Sequence, residues 1–154
     1  MFNLILISLI ICFILAIPTV LWRVKAGKEC AKYLSLEEKD LDYLIGKKPI
    51  FTKYWMSNSL YKDYIDKTKL ILNGNHEYFD FAKWGIALKM DVYPDTIILS
   101  NLSGIFLKKR AIVLSKISKI NKNKQIVAFK GANFKFIANN FSQEQLEKLN
   151  DLKR

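Results

Sequence analysis

One uncharged run at the amino terminus constrains this chain more than any other feature. The first charged side chain is Arg23, and the residues from Met1 to Trp22 are uncharged and mostly apolar. A helix crosses the hydrocarbon core of a bilayer in roughly 20 residues, at about 1.5 Å per residue. The run therefore predicts a transmembrane anchor over residues 1–22. Trp22 would be an interface aromatic, with its indole N–H in the wet layer.

A cleaved secretory signal is the alternative interpretation of the same run. Such signals carry Lys or Arg before the apolar stretch and a small-residue cleavage motif after it. No Lys or Arg precedes this run, and Pro18 disrupts the small-residue site at Ala16. The pattern therefore favours an anchor that is not cleaved.

The basic residues that flank the run predict its orientation. None precedes it, whereas four topology-setting residues follow it: Arg23, Lys25, Lys28 and Lys32. Lys and Arg close to a span collect on the cytoplasmic side. We therefore expect a single-pass protein of the cytoplasmic (inner or plasma) membrane, with its amino terminus outside and its carboxy-terminal domain in the cytoplasm. Cys12 in the span and Cys30 beyond it cannot reach each other, so no disulfide contradicts this.

Two short helices are predicted after the anchor. Ser35 and Glu38 have the spacing of a capping box at the start of the first, and Gly46 ends it. Its buried stripe would be Leu41, Leu44 and Ile45. Helical spacing of apolar residues predicts the second over about 59–67.

Short β-strands are predicted from residue 69 onward. They cover 69–73, 84–93, 96–101, 105–114, 125–130 and 133–138, with turns at 73–74, 94–95 and 131–132. Phe134 and Phe136 alternate with Lys135, which is the pattern of a half-buried strand. A terminal helix follows, with Ser142 and Gln145 as its capping box. Its apolar stripe is Leu146, Leu149 and Leu152.

These elements predict an α+β fold with one transmembrane helix, one or two short helices, and an antiparallel curled sheet or partly open barrel. A C-terminal amphipathic helix would close that sheet. The expected division is an anchor over 1–22, a juxtamembrane and helical segment over 23–69 packed on the domain, and an antiparallel β domain over 70–154.

Residues 86–152 carry a family resemblance. Three segments are involved: the hairpin Leu88–Leu99, the stretch Ala111–Leu114 with Ile117 and Ile120, and Phe134–Ile137 ahead of the last helix. Together they resemble a bacterial pleckstrin-homology-like domain, which implies a curled sheet closed by a helix. Phosphoinositide-binding members carry a basic cluster between the first two strands. This sequence has Pro94-Asp95 at that place.

The formal net charge of +11 is unevenly distributed. No acidic residue occurs over 96–143, yet nine basic residues do. Such a run costs stability through self-repulsion, so it usually coats a face that meets an anionic partner. The candidate contacts are Lys108, Lys109, Arg110, Lys116, Lys119, Lys130 and Lys135. The tribasic segment 108–110 is the sharpest of them; its alternative interpretation is an exposed strand whose charges discourage edge pairing.

The marks of catalysis are weak in this sequence. His76 with Glu77 and Asp80 makes a poor metal site, and a single His supports neither a triad nor a two-His zinc motif. Cys30 lies between basic residues, but an idle thiol is the favoured interpretation. We therefore predict no catalytic, metal or cofactor site and no enzyme. Tyr54 and Trp55 are candidate interface aromatics, with the core as the alternative.

The favoured function is that of a non-enzymatic, membrane-anchored binding or adaptor protein. Its basic cytoplasmic domain would engage either an anionic membrane surface or an acidic protein partner. One alternative is a membrane-bound immunity or defence factor that neutralises a toxin by direct binding. A nucleic-acid binder is less favoured, because the chain carries an anchor and Arg, the usual reader of base edges, is scarce in its basic stretch. The sequence leaves the oligomeric state open.

Overall fold

The computed structural model describes residues 2–56, 69–72, 78–81, 83–104 and 107–153. The helices are α1 (Phe2–Tyr33), a 3-10 helix (Glu38–Leu44) and α2 (Gln143–Leu152). The strands are β1 (Phe51–Trp55), β2 (Lys69–Leu72), β3 (Tyr78–Asp80), β4 (Leu88–Val92), β5 (Ile97–Asn101), β6 (Ala111–Leu114), β7 (Lys116–Asn121), β8 (Ile126–Lys130) and β9 (Phe134–Ala138). The fold is α+β, as predicted. The predicted helix over 59–67, the 73–74 turn, His76 and Glu77 lie outside the described residues.

Helix α1 has two halves with different surroundings. Residues 4–22 are exposed along their whole length, with Phe13 at 77%. The helix then continues past Trp22, and Ala26, Cys30 and Leu34, each four residues after the last, are buried in the core. That spacing places them on one face, which packs on the domain. α1 is long and apolar enough to cross a membrane, with a mean hydropathy of 3.0.

The first short helix predicted after the anchor is a 3-10 helix. The residue that caps it is Glu37, not Ser35, and the Glu37 N–H donates to Asp40 Oδ2 at 2.7 Å. Ile45 is 80% exposed, so its predicted burial is wrong. The reason is the tighter winding: at three residues per turn Leu41 and Leu44 eclipse on one face, while the next residue points away.

The first sheet has the strand order β1-β4-β5-β6, all antiparallel. Its inner face carries Leu88, Met90 and Leu99, which have no exposed surface. Its outer face lies beneath the 3-10 helix, where Leu44 packs with Ile98. Strand β1 was not predicted. Strand β4 starts later than expected, because residues 83–85 form a turn.

The second sheet has the order β3-β2-β9-β8-β7 and is also antiparallel. The predicted hairpin across Gly131 is confirmed: the Gly131 N–H donates to Phe134 O at 2.9 Å. A Cβ on Gly131 would overlap the ring of Phe134, so no larger residue fits there without a shift. Strand β3 was not predicted.

Ser115 marks the point where the chain passes from one sheet to the other. β6 belongs to the first sheet and β7 to the second, and only Ser115 separates them. Its N–H donates to Lys130 O at 2.8 Å, and its hydroxyl donates to the same oxygen at 2.7 Å. The sequence did not predict β7 as a separate strand.

Trp55 lies in the core between the two sheets. It is 2% exposed and makes edge contacts with Phe136 and Phe141, at ring-centroid distances of 6.1 and 5.6 Å. Its Nε1–H donates to Asn139 O at 3.0 Å. The described strands form two sheets rather than a closed barrel.

Helix α2 begins as predicted. The Gln145 N–H donates to Ser142 Oγ, and the Ser142 N–H donates to Gln145 Oε1, both at 3.1 Å. Leu146 and Leu149 are fully buried in the core. The predicted apolar stripe of this helix is therefore confirmed, and the helix packs beside β7.

Candidate functional site

Three lysines form a row across three adjacent strands of the second sheet. Lys116 of β7 pairs with Lys130 of β8, and Lys130 pairs with Lys135 of β9. Residues directly opposite on antiparallel strands lie on the same face, with Cβ atoms about 5 Å apart. All three side chains are exposed, and we call Lys116, Lys130 and Lys135 the lysine row. Lys119 opposes Ala128 on the same face and extends the basic surface.

The lysine row carries uncompensated charge. Among the residues that the structure describes, neither the row nor Lys119 forms an ion pair; the ion pairs lie elsewhere. The sequence supplies the reason, since no acid occurs over 96–143. Like charges directly opposite on a sheet are destabilising. This face thus carries positive charge that no carboxylate of the described residues neutralises through an ion pair.

The tribasic segment does not form the exposed strand of its alternative interpretation. Residues 108–110 precede β6, so they do not form an exposed strand. Lys109 Nζ lies 3.0 Å from Glu38 Oε1, and Arg110 Nη1 lies 3.2 Å from Glu37 Oε1. Two of the three charges are therefore paired with the start of the 3-10 helix.

Asn101 fixes the shape of the tribasic segment. This fully buried side chain accepts from the Arg110 N–H at 2.5 Å and donates through Nδ2 to Lys108 O at 2.9 Å. Because a buried amide with unpaired groups is costly, these bonds hold the backbone in place. Lys108 alone of the three remains exposed without an ion pair among the described residues.

The chain passes the end of α1 before it reaches the lysine row. Leu107 and Val20 line one groove beside the apolar half of α1. Ala111, four residues after Leu107, pairs with Leu36, which lies beyond the end of α1. Strand β6 then leads to Ser115, which bonds to Lys130. α1 extends about 16 Å from Trp22 to Tyr33 at 1.5 Å per residue.

Two of the four residues expected to set topology, Arg23 and Lys25, also hold α1 to the domain. Arg23 Nη1 donates to Gly85 O at 3.1 Å, and Gly85 has a φ of +61° in the turn before β4. Trp22 stacks on Trp84 at 4.9 Å, and Lys25 Nζ lies 5.8 Å from the Trp84 ring. Lys32 pairs with Glu29 at 2.7 Å, and Lys28 is exposed. Trp84 is the partner that sequence reasoning missed.

The two aromatic neighbours on β1 differ in exposure. Tyr54 is 51% exposed, so its side chain is available at the surface. Trp55 is buried as described above and presents nothing to an interface. The alternation follows from the strand itself, since successive side chains point to opposite faces.

A second charged cluster lies on the outer face of the first sheet. Asp91 accepts from Thr52 Oγ1 at 2.6 Å and pairs with Lys89 at 2.7 Å. Burial disfavours the Lys89 ammonium, but the hydrogen bond and charge of Asp91 outweigh it and raise the pKa of Lys89. The charges here compensate each other, which distinguishes this cluster from the lysine row.

The thiol and metal hypotheses gain nothing from the geometry. Cys30 is 1% exposed among apolar side chains, and buried thiols of this kind are inert. Within the described ranges no group of three or more His, Cys, Asp or Glu side chains could hold a metal ion.

No protein-family model, curated protein or solved structure matches the chain. The sequence did not reveal the lysine row. The predicted turn at 131–132 would set Lys130 opposite Asn133, whereas the structure pairs it with Lys135. The place of Lys116 depends on β7 as a separate strand, which was not predicted.

Proposed function

We propose that this protein is a non-enzymatic, membrane-anchored binding module whose basic face binds an acidic segment of a protein partner. The observation that carries the proposal is the lysine row: three opposed lysines with no carboxylate partner among the described residues. Such an arrangement costs the free protein stability. An acidic partner would turn that repulsion into attraction and speed the encounter.

The exposed apolar side chains of α1 support a membrane anchor. A long apolar helix whose side chains are exposed over residues 4–22 is unfavourable in water, whereas a core helix would be covered. α1 also runs without interruption into core residues such as Ala26, which does not suit a signal that is cut off. With the basic flank of α1 on the domain side, the proposed orientation keeps the domain in the cytoplasm.

Distance favours a protein over the anchoring membrane as the partner of the lysine row. The chain reaches the row through β6, whose first residue, Ala111, pairs with Leu36 beyond the end of α1, and that end lies about 16 Å from Trp22 along the helix. Attraction between exposed charges is largely screened beyond a Debye length of about 8 Å at physiological salt. Lipid headgroups beside Trp22 would therefore attract the row only weakly. A soluble acidic segment has no such restriction.

A pleckstrin-homology-like domain over residues 86–152 forms part of the proposal. Two antiparallel sheets followed by one terminal helix support it, since Leu146 and Leu149 of that helix reach the common core. The place between the first two strands of that stretch is Pro94-Asp95. The proposed binding surface is accordingly the lysine row of the second sheet.

Binding of a fluorescent oligoglutamate peptide tests the proposed function. The full chain is placed in nanodiscs of phosphatidylcholine, and fluorescence anisotropy is measured over a range of salt concentrations. We expect saturable binding that weakens steeply with salt, as charge attraction requires. A single-stranded DNA of equal charge is the comparison. Binding of the DNA but not of the peptide, or no binding of either, would contradict the proposal.

A further inference from the structure

An apolar groove of about 580 Å³ lies between α1 and the segment that joins β5 to β6. From α1 it is lined by Ala16, Thr19, Val20 and Arg23, and from the joining segment by Leu102 and Leu107. Its size falls within the range of about 300–1,000 Å³ that is typical of ligand sites. The groove has no role in the proposed binding of an acidic protein.

We propose that this groove binds one acyl chain of an anionic glycerophospholipid, with the lipid phosphate at Arg23. Of the proposed function, this inference depends only on the membrane anchor and not on the acidic partner. Three of the lining residues belong to the apolar half of α1, so the groove opens at the depth of the bilayer when that half spans it. At that depth the available apolar ligand is a lipid chain.

Arg23 supplies the charge that the phosphate needs. It is the first charged residue after the apolar run, and α1 places it about 10 Å from Ala16 along the helix axis. One of its nitrogens donates to Gly85 O. A guanidinium has five N–H donors and matches a phosphate in a two-bond geometry. In the part of the chain that the structure describes, no carboxylate pairs with Arg23.

The surroundings of Arg23 suit the headgroup layer. Trp22 stacks on Trp84, and Lys25 lies over the Trp84 ring. Stacked indoles and basic side chains at the end of an apolar span are typical of the membrane interface. The phosphate would thus lie among these basic and aromatic side chains, while the acyl chain follows α1 toward Ala16.

Native mass spectrometry of the full chain, released from membranes of equal phosphatidylcholine and phosphatidylglycerol, tests the site. We expect one phosphatidylglycerol to remain bound, preferred about tenfold over phosphatidylcholine, as one charge-assisted contact would give. Ala16→Phe fills the groove and should remove both lipids. Its control is Leu15→Phe, because Leu15 is exposed and outside the groove.

Arg23→Gln should keep the acyl chain but lose the preference for phosphatidylglycerol. Lys28→Gln removes the same charge from an exposed position of α1 and should leave the preference unchanged. A membrane-inserted wild-type chain that retains no lipid overturns the lipid site and leaves the anchor intact. Equal lipid retention by Ala16→Phe and Leu15→Phe overturns it as well. A chain that washes off membranes contradicts the anchor, and with it the proposed function.

Discussion

Replacing the lysine row by glutamine in the triple variant Lys116→Gln, Lys130→Gln and Lys135→Gln is expected to abolish oligoglutamate binding and to stabilise the fold. The row contains two directly opposite like-charge pairs. Relief of each is worth roughly 0.2–1 kcal/mol, so the free energy of unfolding should rise by about 1 kcal/mol. Fluorescence anisotropy and urea unfolding of the full chain in neutral nanodiscs measure the two effects.

The prediction is specific because the same substitutions should weaken binding and raise the free energy of unfolding. The matched control replaces Lys108, Lys122 and Lys124, which are also exposed and come from the same acid-free stretch. It removes the same charge without touching a like-charge pair of the row. We expect it to retain most of the binding and to gain little stability. Equal loss of binding in both variants would mean that only net charge matters, and the proposed site would be wrong.

Trp55→Ala is expected to lower the free energy of unfolding by about 3–5 kcal/mol, as truncation of a buried aromatic does. The indole of β1 contacts Phe136 of the second sheet and Phe141 ahead of α2, and it donates to Asn139 O. Its loss leaves a cavity and an unpaired carbonyl at the same place. A change of this size is a large part of the stability of an ordinary domain.

Tyr54→Ala is the control for Trp55→Ala, because Tyr54 is the exposed neighbour on the same strand. We expect it to change the free energy of unfolding by less than about 0.5 kcal/mol. Urea unfolding followed by circular dichroism measures both variants. Similar small losses for the two would show that Trp55 does not hold the sheets together.

The elements that the sequence predicted well depend on neighbouring residues. The start of α2 follows from Ser142 and Gln145, three positions apart, and the β8–β9 turn follows from Gly131. Each signal acts within a few residues, so the sequence alone reveals it. The exposure of the first half of α1 is also consistent with the lack of charge before Arg23.

The features that the sequence did not reveal depend on distant contacts. β1 pairs with β4 across more than thirty residues, and the chain changes sheets at a single serine. Glu37 pairs with Arg110 only in the folded chain. From the sequence, the charge of Arg110 therefore looked free to contact an anionic partner, whereas the structure pairs it within the protein. The lysine row has the same origin: three lysines become neighbours through strand register, which the spacing of charges along the chain does not show.

Lysine footprinting of the full chain tests the central claim most directly. An acetylating reagent is applied to the protein in neutral nanodiscs, in anionic nanodiscs, and in neutral nanodiscs with oligoglutamate, and mass spectrometry measures the labelling of each lysine. We expect that oligoglutamate protects Lys116, Lys130 and Lys135 but not Lys122, and that anionic lipid leaves all four labelled. Protection of the lysine row by anionic nanodiscs alone, or its full labelling with oligoglutamate bound, would contradict the account.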